Sequence, residues 1–363
     1  MKTTFYNLTL AILFLLFSIH SIWSQEKVSK TIEKTYPLTN TGELHLDNKY
    51  GNIIINGWQE NTIQIVVEIE VSKKKKEDAL DLLARINPKI NSTNDFISIT
   101  SLIEEKSNSM FSRLFEKANP FDFDKANIQI NYDIYLPQNA EINITNKFGD
   151  IIMSGWNGKL KMNQQHGDIW INKSLENANI EMKFGKLKTK SITYGNIQFK
   201  NGEIDIEESK ELKINSSGTT ISIENVASLE IHSSKDKINI QQLGNIKGEL
   251  MFSNMNLNSV SDDINLTMEV ADFWVSKLKK SNTNVIITQE SSELNINISG
   301  TSIDFNASLE QGVLRIPKSF TNIKTDMIDK RKRIRDVSAS YGKNSSKGKF
   351  QIIGKKGIIV LSE

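Results

Sequence analysis

The chain has 363 residues, no Cys, and a nearly balanced charge of 45 Lys and Arg against 43 Asp and Glu. The absence of Cys excludes disulfides, a lipid-modified Cys, and thiolate metal sites or nucleophiles. The balanced charge gives no global basic or acidic field that would indicate nucleic acid as a partner. The length exceeds the usual size of one compact domain, a limit that stacked repeats avoid by growing along one axis.

Residues 1–24 have the pattern of a secretory signal peptide. Lys2 precedes an apolar run from Leu8 to about Ile22, and small or polar residues follow around Ser24. Such a segment is removed on export and takes no part in the fold. An uncleaved anchor is the alternative, but the run is shorter than the roughly 20 apolar residues that a spanning helix needs. We predict an exported protein of the periplasm, outer-membrane surface or extracellular space, without a membrane span after cleavage.

Residues 25–135 are predicted to form strands, one short helix and an insertion. The stretch "GELHLDNKYGNIIINGW" alternates apolar and polar residues as a half-buried strand does. The stretch "KKEDALDLLARI" predicts an amphipathic helix that begins near Asp78, ends at Asn87-Pro88 and caps the first turn of a strand stack. Its apolar stripe consists of Ala79, Leu80, Leu82, Leu83 and Ile86. The aromatic-rich residues 107–127 predict a loop or short helix, with a partner-binding protrusion as the alternative.

A repeated phrase marks the rest of the chain. "NKFGDIIMSGW" repeats "NKYGNIIINGW", with Gly149 of the second copy in the place of Gly51 of the first. Weaker copies follow, and the step from Gly149 to Gly167 equals the step from Gly167 to Gly185. A fixed, short period with one or two strand patterns inside it predicts a solenoid.

Each repeat alternates with period two, which gives every strand one apolar face. The first set of strands places on that face Ile151/Met153, Ile169/Ile171, Ile197/Phe199, Ile221/Ile223 and Ile238/Ile240. The second set contributes Leu160/Met162, Ile180/Met182/Phe184, Leu212/Ile214, Leu229/Ile231 and Leu250/Phe252. We expect the apolar face to continue to near residue 316.

These patterns predict an all-β chain with one short amphipathic helix near the N-terminus. Residues 136–363 are predicted to form a parallel β-helix or β-roll solenoid, continuous with the part before it. A sandwich or an up-and-down barrel also has short alternating strands and is the alternative. The same residues recur at the same position of each repeat, which favours the solenoid, because equivalent residues then stack on neighbouring turns. In a solenoid, unpaired strand edges remain only at the two ends.

The recurring glycines are interpreted as corner residues, where Gly tolerates positive φ or a close approach of backbones. They are Gly51, Gly149, Gly167, Gly185 and Gly195. A glycine-rich phosphate loop is the alternative, but no Gly cluster precedes a helix.

The basic cluster at Lys330–Arg335 is interpreted as an exposed loop, and the two strand patterns after it as the closing turns of the solenoid. Binding of acidic polysaccharide or lipopolysaccharide is the functional alternative for this cluster.

The histidines and corner carboxylates have structural explanations. His45, His166 and His232 each occupy a repeat position, and none of them pairs at zinc spacing. Asp150 and Asp168 recur beside corner glycines, where we expect Asx turns rather than a calcium ladder. No metal or other cofactor is therefore predicted.

The local carboxylate pairs are Asp205 with Glu207 and Asp262 with Asp263. A glycosidase needs two carboxylates across a cleft, and neither pair comes with an aromatic platform that recurs in the repeats. We predict a protein that is not an enzyme, with a polysaccharide-active enzyme as an alternative.

The leader, "GELHLDNKYGNIIINGW", the helix, "INYDIYLP" running into "NKFGDIIMSGW", and the Tyr/Phe-Gly repeats together resemble the putative-adhesin family of exported bacterial β-helical proteins. The resemblance is best from Gly42 to Gly202, and the departures are His166 in an aromatic slot and Lys235 in place of Gly. It implies a Gram-negative envelope or secreted location and brings no catalytic residues. The expected function is a non-enzymatic, adhesin-like display of a strand face to an envelope protein or glycan. A structural envelope component without a ligand is the alternative.

Overall fold

The computed structural model describes residues 25–103 and 127–363. The predicted signal peptide and nearly all of the insertion at 107–127 lie outside the described residues. The described residues divide into two units. The smaller unit contains residues 25–31, 68–87, 103 and 127–129, and the larger contains residues 32–67, 88–102 and 130–363. Every site discussed below lies in the larger unit.

The described chain is nearly all β with one helix, and this part of the fold prediction is confirmed. The elements in chain order are β1 Glu26–Pro37, β2 Glu43–Asp47, β3 Ile53–Trp58, β4 Thr62–Lys73, α1 Lys76–Arg85, β5 Ile86–Thr93, β6 Phe96–Ile103, β7 Ile128–Pro137, β8 Glu141–Asn146, β9 Ile151–Ser154, β10 Leu160–Gln165, β11 Ile169–Ser234, β12 Lys237–Met251, β13 Asn254–Val260, β14 Ile264–Glu269, β15 Asp272–Val275, β16 Val285–Glu290, β17 Glu293–Asn297, β18 Ile303–Glu310, β19 Val313–Arg315, β20 Thr321–Asp329, β21 Ile334–Tyr341, β22 Gly348–Lys355 and β23 Ile358–Ser362.

Helix α1 belongs to the smaller unit. Glu77 and Asp78 lie in its first turn, where negative charge is favourable to the helix dipole. Its buried residues are Ala79, Leu82 and Leu83. Leu80 was expected on the same stripe but is 48% exposed, and Ile86 already belongs to β5. The predicted capping role of the helix stays a prediction.

The strands of the described chain form one open sheet with mixed pairing. Parallel pairs predominate, whereas β21 pairs antiparallel with both β18 and β20. The preferred solenoid prediction implied parallel pairing. Strands β20 and β21 are joined by a short turn at residues 330–333, and a connection of that length permits only antiparallel pairing.

Parallel neighbours are separated by short, regular steps along the sequence. Ile151 pairs with Ile169, and Ile221 pairs with Ile238. Hydrogen bonds between neighbouring strands likewise join positions that differ by 18 at Asp150 and by 17 at Ser228. Ile53 pairs with Ile151, so the two copies of the long repeat are direct neighbours although they lie far apart in the sequence. The phrase recurs because equivalent residues of adjacent strands must pack on one another.

The predicted apolar face is buried over most of its length. Both sets of strands contribute residues with at most 3% exposure, such as Ile169, Ile197 and Leu212. Phe184 and Phe252 were expected on this face but are 45% and 48% exposed. Both have positive φ, 60° and 52°, and a left-handed residue interrupts the alternation that would turn the ring inward.

The last strands do not close the stack as predicted. Strand β22 pairs with β16 on one side and β18 on the other, and β23 lies between β17 and β19. Phe350 thus pairs with Val285 and with Phe305, and all three are buried. Alternation specifies which face of a strand is apolar but does not specify which strands pair with it. The sequence pattern therefore did not reveal that β22 and β23 insert between earlier strands.

Candidate functional site

Four of the predicted corner glycines form one column on neighbouring strands. Gly51, Gly149, Gly167 and Gly185 have φ values of 122°, 129°, 154° and 134°. A Cβ atom at Gly149 would lie 2.1 Å from the carbonyl oxygen of Gly51, and the next two members approach their predecessors in the same way. The close backbone approach in this column therefore requires glycine.

Gly195 lies outside this column, contrary to expectation. It has no positive φ, and a Cβ there would meet the side chains of Leu212 and Ile192 at 2.7 and 3.1 Å. The column continues at Gly202, where a Cβ would lie 2.1 Å from the carbonyl oxygen of Gly185. The sequence separation between neighbouring segments shortens here from 18 to 17 residues. The N–H of Lys186 donates to Asp168, 18 residues earlier, and Lys186 Nζ donates to Glu203, 17 residues later. Aligning the motif "TYGNIQF" with "KFGKLKT" therefore selects the wrong glycine.

The aromatic residues before these glycines form a column of stacked rings. Tyr50 and Phe148 stack at 5.8 Å between ring centroids, and their planes differ by 5°. His166 lies 5.1 Å from Phe148 and 4.8 Å from Phe184, again nearly parallel. The imidazole of His166 thus occupies an aromatic position as a flat ring between two others.

The Asn or Asp after Gly51, Gly149 and Gly167 accepts a hydrogen bond from a backbone N–H of the neighbouring segment, whereas Asx turns were expected at Asp150 and Asp168. The N–H of Asp150 donates to Asn52 Oδ1 at 2.9 Å, and that of Asp168 to Asp150 Oδ1 at 2.9 Å. The N–H of Lys186 then donates to Asp168 Oδ1 at 2.8 Å. These carboxylates bind the backbone, and the described residues contain no group of three or more His, Asp or Glu that could hold a metal ion.

A column of buried Asn and Gln side chains lies beside the glycines, and the sequence analysis did not predict it. Asn48, Asn146 and Gln164 are at most 1% exposed. Gln164 Nε2 donates to the carbonyl oxygen of Gly149 at 2.6 Å, and Asn146 Nδ2 donates to the same atom at 3.3 Å. These amides satisfy carbonyls that the bend withdraws from water. The available signal was an Asn or Gln two residues before Tyr50, Phe148 and His166.

The remaining histidines lie beside carboxylates on exposed strand positions. His45 Nε2 lies 2.5 Å from Glu43 Oε1. His232 lies 3.7 Å from both Glu230 and Glu249.

The carboxylate pairs singled out in the sequence have local partners. Asp205 lies 3.8 Å from Lys188, and Asp262 pairs with Lys280. Asp263 accepts two hydrogen bonds of 3.1 Å from one asparagine. These contacts explain the three aspartates as parts of the strand surface.

A groove with a volume of about 550 Å³ lies on the outer side of the second set of strands. Its lining includes Leu160, Ala178, Gly195 and Leu212, which belong to the inward-facing series. The outward-facing residues that complete the lining are polar: three Asn, three Lys, two Glu, one Tyr and one Ser. Alternation along the strands gave no sign that these polar positions enclose a groove.

A three-residue ion-pair row crosses the groove. Lys213 Nζ lies 2.6 Å from Glu230 Oε1, and Lys247 Nζ lies 2.9 Å from Glu230 Oε2. Hydrogen bonds from Lys213 and then Lys247 lower the pKa of Glu230 to about 2. Glu230 therefore stays ionised at neutral pH and is unsuited to act as a general acid.

Asparagine amides and a tyrosine complete the polar lining. Asn196 Nδ2 donates to Asn179 Oδ1 at 3.2 Å. Lys210 Nζ donates to Tyr194 Oη at 2.9 Å, and this hydrogen bond raises the pKa of Lys210. Tyr194 is 38% exposed and lines the groove. Its hydroxyl accepts the hydrogen bond of Lys210, a residue outside the lining.

The ion-pair row predicts a pH-dependent stability. Because the pKa of Glu230 lies below its ordinary value of 4.5, its pairs stabilise the fold above about pH 4.5 and are lost as pH falls towards about 2. We expect Glu230→Gln to flatten the decline of Tm over this interval. Thermal unfolding in a pH series measures the effect, with exposed Glu224→Gln as the control. Equal acid slopes for wild type and Glu230→Gln would contradict the assignment.

In the described part of the chain, no helix combines the length and the apolar character that crossing a bilayer requires.

No family model matches the sequence, and no curated protein matches it. Among solved structures, the chain is similar to a putative cell adhesion protein from Clostridium sporogenes, with 12% identity and a TM-score of 0.18 over 92% of this chain and 99% of that one. A putative adhesin from Bacteroides fragilis has 10% identity and a TM-score of 0.26, with 92% and 96% covered. A putative lipid binding protein from Parabacteroides distasonis has 9% identity and a TM-score of 0.30, with 71% and 94% covered.

Proposed function

We propose that this chain is an exported, adhesin-like envelope protein, folded as a parallel β-helix, that binds a glycan chain in the groove beside Tyr194 without chemical turnover. The observation that carries the proposal is the groove of about 550 Å³, lined outward by amide, hydroxyl and paired charged groups.

The strand registers support a parallel β-helix in the larger unit. Parallel neighbours recur at short, nearly constant steps, as from Ile221 to Ile238 and from Ile151 to Ile169. At about 3.3 Å per residue, such a step traces roughly 60 Å, enough for one turn around a narrow apolar core. Equivalent buried side chains then pack above and below one another along the axis.

The lining of the groove fits the hydrogen-bonding character of sugars. Sugar hydroxyls donate and accept, and the amides of Asn177, Asn179 and Asn196 offer both functions. The partly exposed Tyr194 ring offers an apolar surface for the C–H side of a sugar. Most lining residues lie on successive segments of β11, flanked by Leu160 of β10 and Lys247 of β12. Because adjacent β segments are about 4.8 Å apart, the groove repeats its contacts along an extended chain.

The carboxylates of the groove favour binding over hydrolysis. Glu211 and Glu230 are the two carboxylates of its lining. A glycosidase needs one carboxyl group that is protonated at working pH, but the two lysines keep Glu230 ionised. A structural component without a ligand and a polysaccharide-active enzyme are the competing functions that experiment must separate.

We expect Asn179→Ala/Asn196→Ala to weaken glycan binding by about tenfold or more, because two amides that contact the ligand are lost. Asn239→Ala/Asn256→Ala is the matched control, since Asn256 Nδ2 donates to Asn239 Oδ1 at the same 3.2 Å outside the groove. A glycan array identifies the ligand, and calorimetry compares the variants.

An array without any bound glycan would favour the structural role. Equal losses in both double variants would contradict the location of the site. Release of new reducing ends or unsaturated products from a bound polysaccharide would favour the enzyme.

A further inference from the structure

Strand β20 forms a second exposed surface, at an edge of the sheet. It pairs antiparallel with β21, and its residues 321–328 are all exposed. Ile323, Met327 and Ile328 are 53%, 51% and 61% exposed. An edge strand presents unpaired backbone N–H and C=O groups, which another strand can join.

The charges at the centre of β20 have no ion-pair partner among the described residues. Lys324 and Asp326 flank Thr325 and point to the same side of the strand. Asp326 lies opposite Asp336 of β21 in the antiparallel register. Like charges directly opposite one another destabilise a strand pair. A cation on the free edge of β20 would relieve this repulsion.

We propose that β20 is a homodimer interface, in which two copies pair antiparallel about a two-fold axis through Thr325. In this register Lys324 of each copy lies opposite Asp326 of the other, which forms two equivalent ion pairs. Strand β20 pairs regularly with β21 only from Lys324 to Met327, with register shifts on either side. On the other side of this segment Thr325 lies opposite Thr325 of the second copy, and the exposed Met327 comes next to the register shift that contains Ile323 of that copy. The surface is self-complementary, as a two-fold interface requires.

Neighbouring registers are less favourable. A shift by two residues brings Lys324 opposite Lys324, or Asp326 opposite Asp326, of the second copy. A shift by one residue pairs apolar positions with charged ones, because directly opposite residues share a face. The basic turns at residues 330–333 lie at opposite ends of the paired strands in the proposed register. They are then farther apart than the Debye length of about 10 Å, so their repulsion is screened.

The test is a charge-reversal cycle on the full protein, measured by sedimentation velocity over about a hundredfold range of concentration. Wild type is expected to show a monomer–dimer equilibrium. Lys324→Asp and Asp326→Lys are each expected to weaken dimerisation by about tenfold or more, because two attractive contacts become repulsive. The double variant Lys324→Asp/Asp326→Lys restores complementarity and is expected to dimerise again, as is an equimolar mixture of the two single variants.

Exposed Lys190→Asp has the same net charge as Lys324→Asp, lies far from β20 in sequence and is expected to dimerise like wild type. All substituted side chains are exposed, and circular dichroism with a melting curve verifies folding. A monomeric wild type, single variants that dimerise normally, or a double variant that stays monomeric would overturn the proposal. The same holds if the protein is monomeric and co-sediments with anionic vesicles through residues 330–333, since the exposed apolar residues would then serve a lipid surface.

Discussion

Ile197→Asp is expected to lower the free energy of unfolding by about 4 kcal/mol, one of the two largest effects anticipated here. Ile197 is fully buried, and Ile180, Phe199 and Ile214 of the same strand β11 are buried as well. An aspartate there would either carry an unpaired charge in an apolar core or bind a proton at a cost. In both cases the contacts of the isoleucine are lost.

The matched control is Gln198→Asp, one residue further along the chain. Gln198 is exposed on the opposite side of the same strand, so the same charge meets solvent. We expect its effect to stay within about 0.5 kcal/mol of zero. Urea unfolding of both variants measures the difference. Equal midpoints for Ile197→Asp and wild type would contradict the inward placement of this face.

Gly149→Ala is expected to lower the free energy of unfolding by about 3 kcal/mol or more. Two costs combine at this position. The backbone has a φ of 129°, which L-residues rarely adopt, and the new Cβ would lie 2.1 Å from the carbonyl oxygen of Gly51. That oxygen belongs to backbone, in the bend before the neighbouring strand β3, so the clash cannot be relieved by a side-chain rotation.

Gly300→Ala separates the two costs. Gly300 also has positive φ, 77°, but a Cβ there would have no heavy atom within 4 Å. We expect this variant to cost only about 1 kcal/mol, the strain of a left-handed alanine. Denaturant unfolding of both variants gives the comparison. If Gly149→Ala cost no more than Gly300→Ala, close packing of the glycine column would not be the reason for its glycines.

The repeated phrase made part of the site region predictable. The glycines were interpreted as corner residues and Asp150 as part of an Asx turn, whereas the structure contains a ring stack at Phe148, a glycine column at Gly149 and a bond from the N–H of Asp168 to the carboxylate of Asp150. Each column depends on residues that recur in the sequence at the same phase. The recurring Asn or Gln two residues earlier carried the same information and was overlooked.

The groove could not be predicted in the same way. Its lining combines residues from strand segments whose spacing changes by one residue, and the motif placed Gly195 in the wrong column at that step. The pairing of Glu230 with both Lys213 and Lys247 depends on which strands are adjacent. The sequence around Glu230 therefore does not indicate that two lysines pair with its carboxylate.

By itself, the sequence determined that the described chain is nearly all β and which residues of most strands face the core. Period-two alternation is a local property, because it sets the two faces of a strand whatever the position of that strand in the fold. Only the tertiary structure decided that β22 and β23 insert between earlier strands, that β20 and β21 form an antiparallel edge, and that polar side chains enclose a groove. These features depend on which strands are adjacent. Many strands share the same alternation and could pair with one another, and only the packing of the whole core selects the actual neighbours.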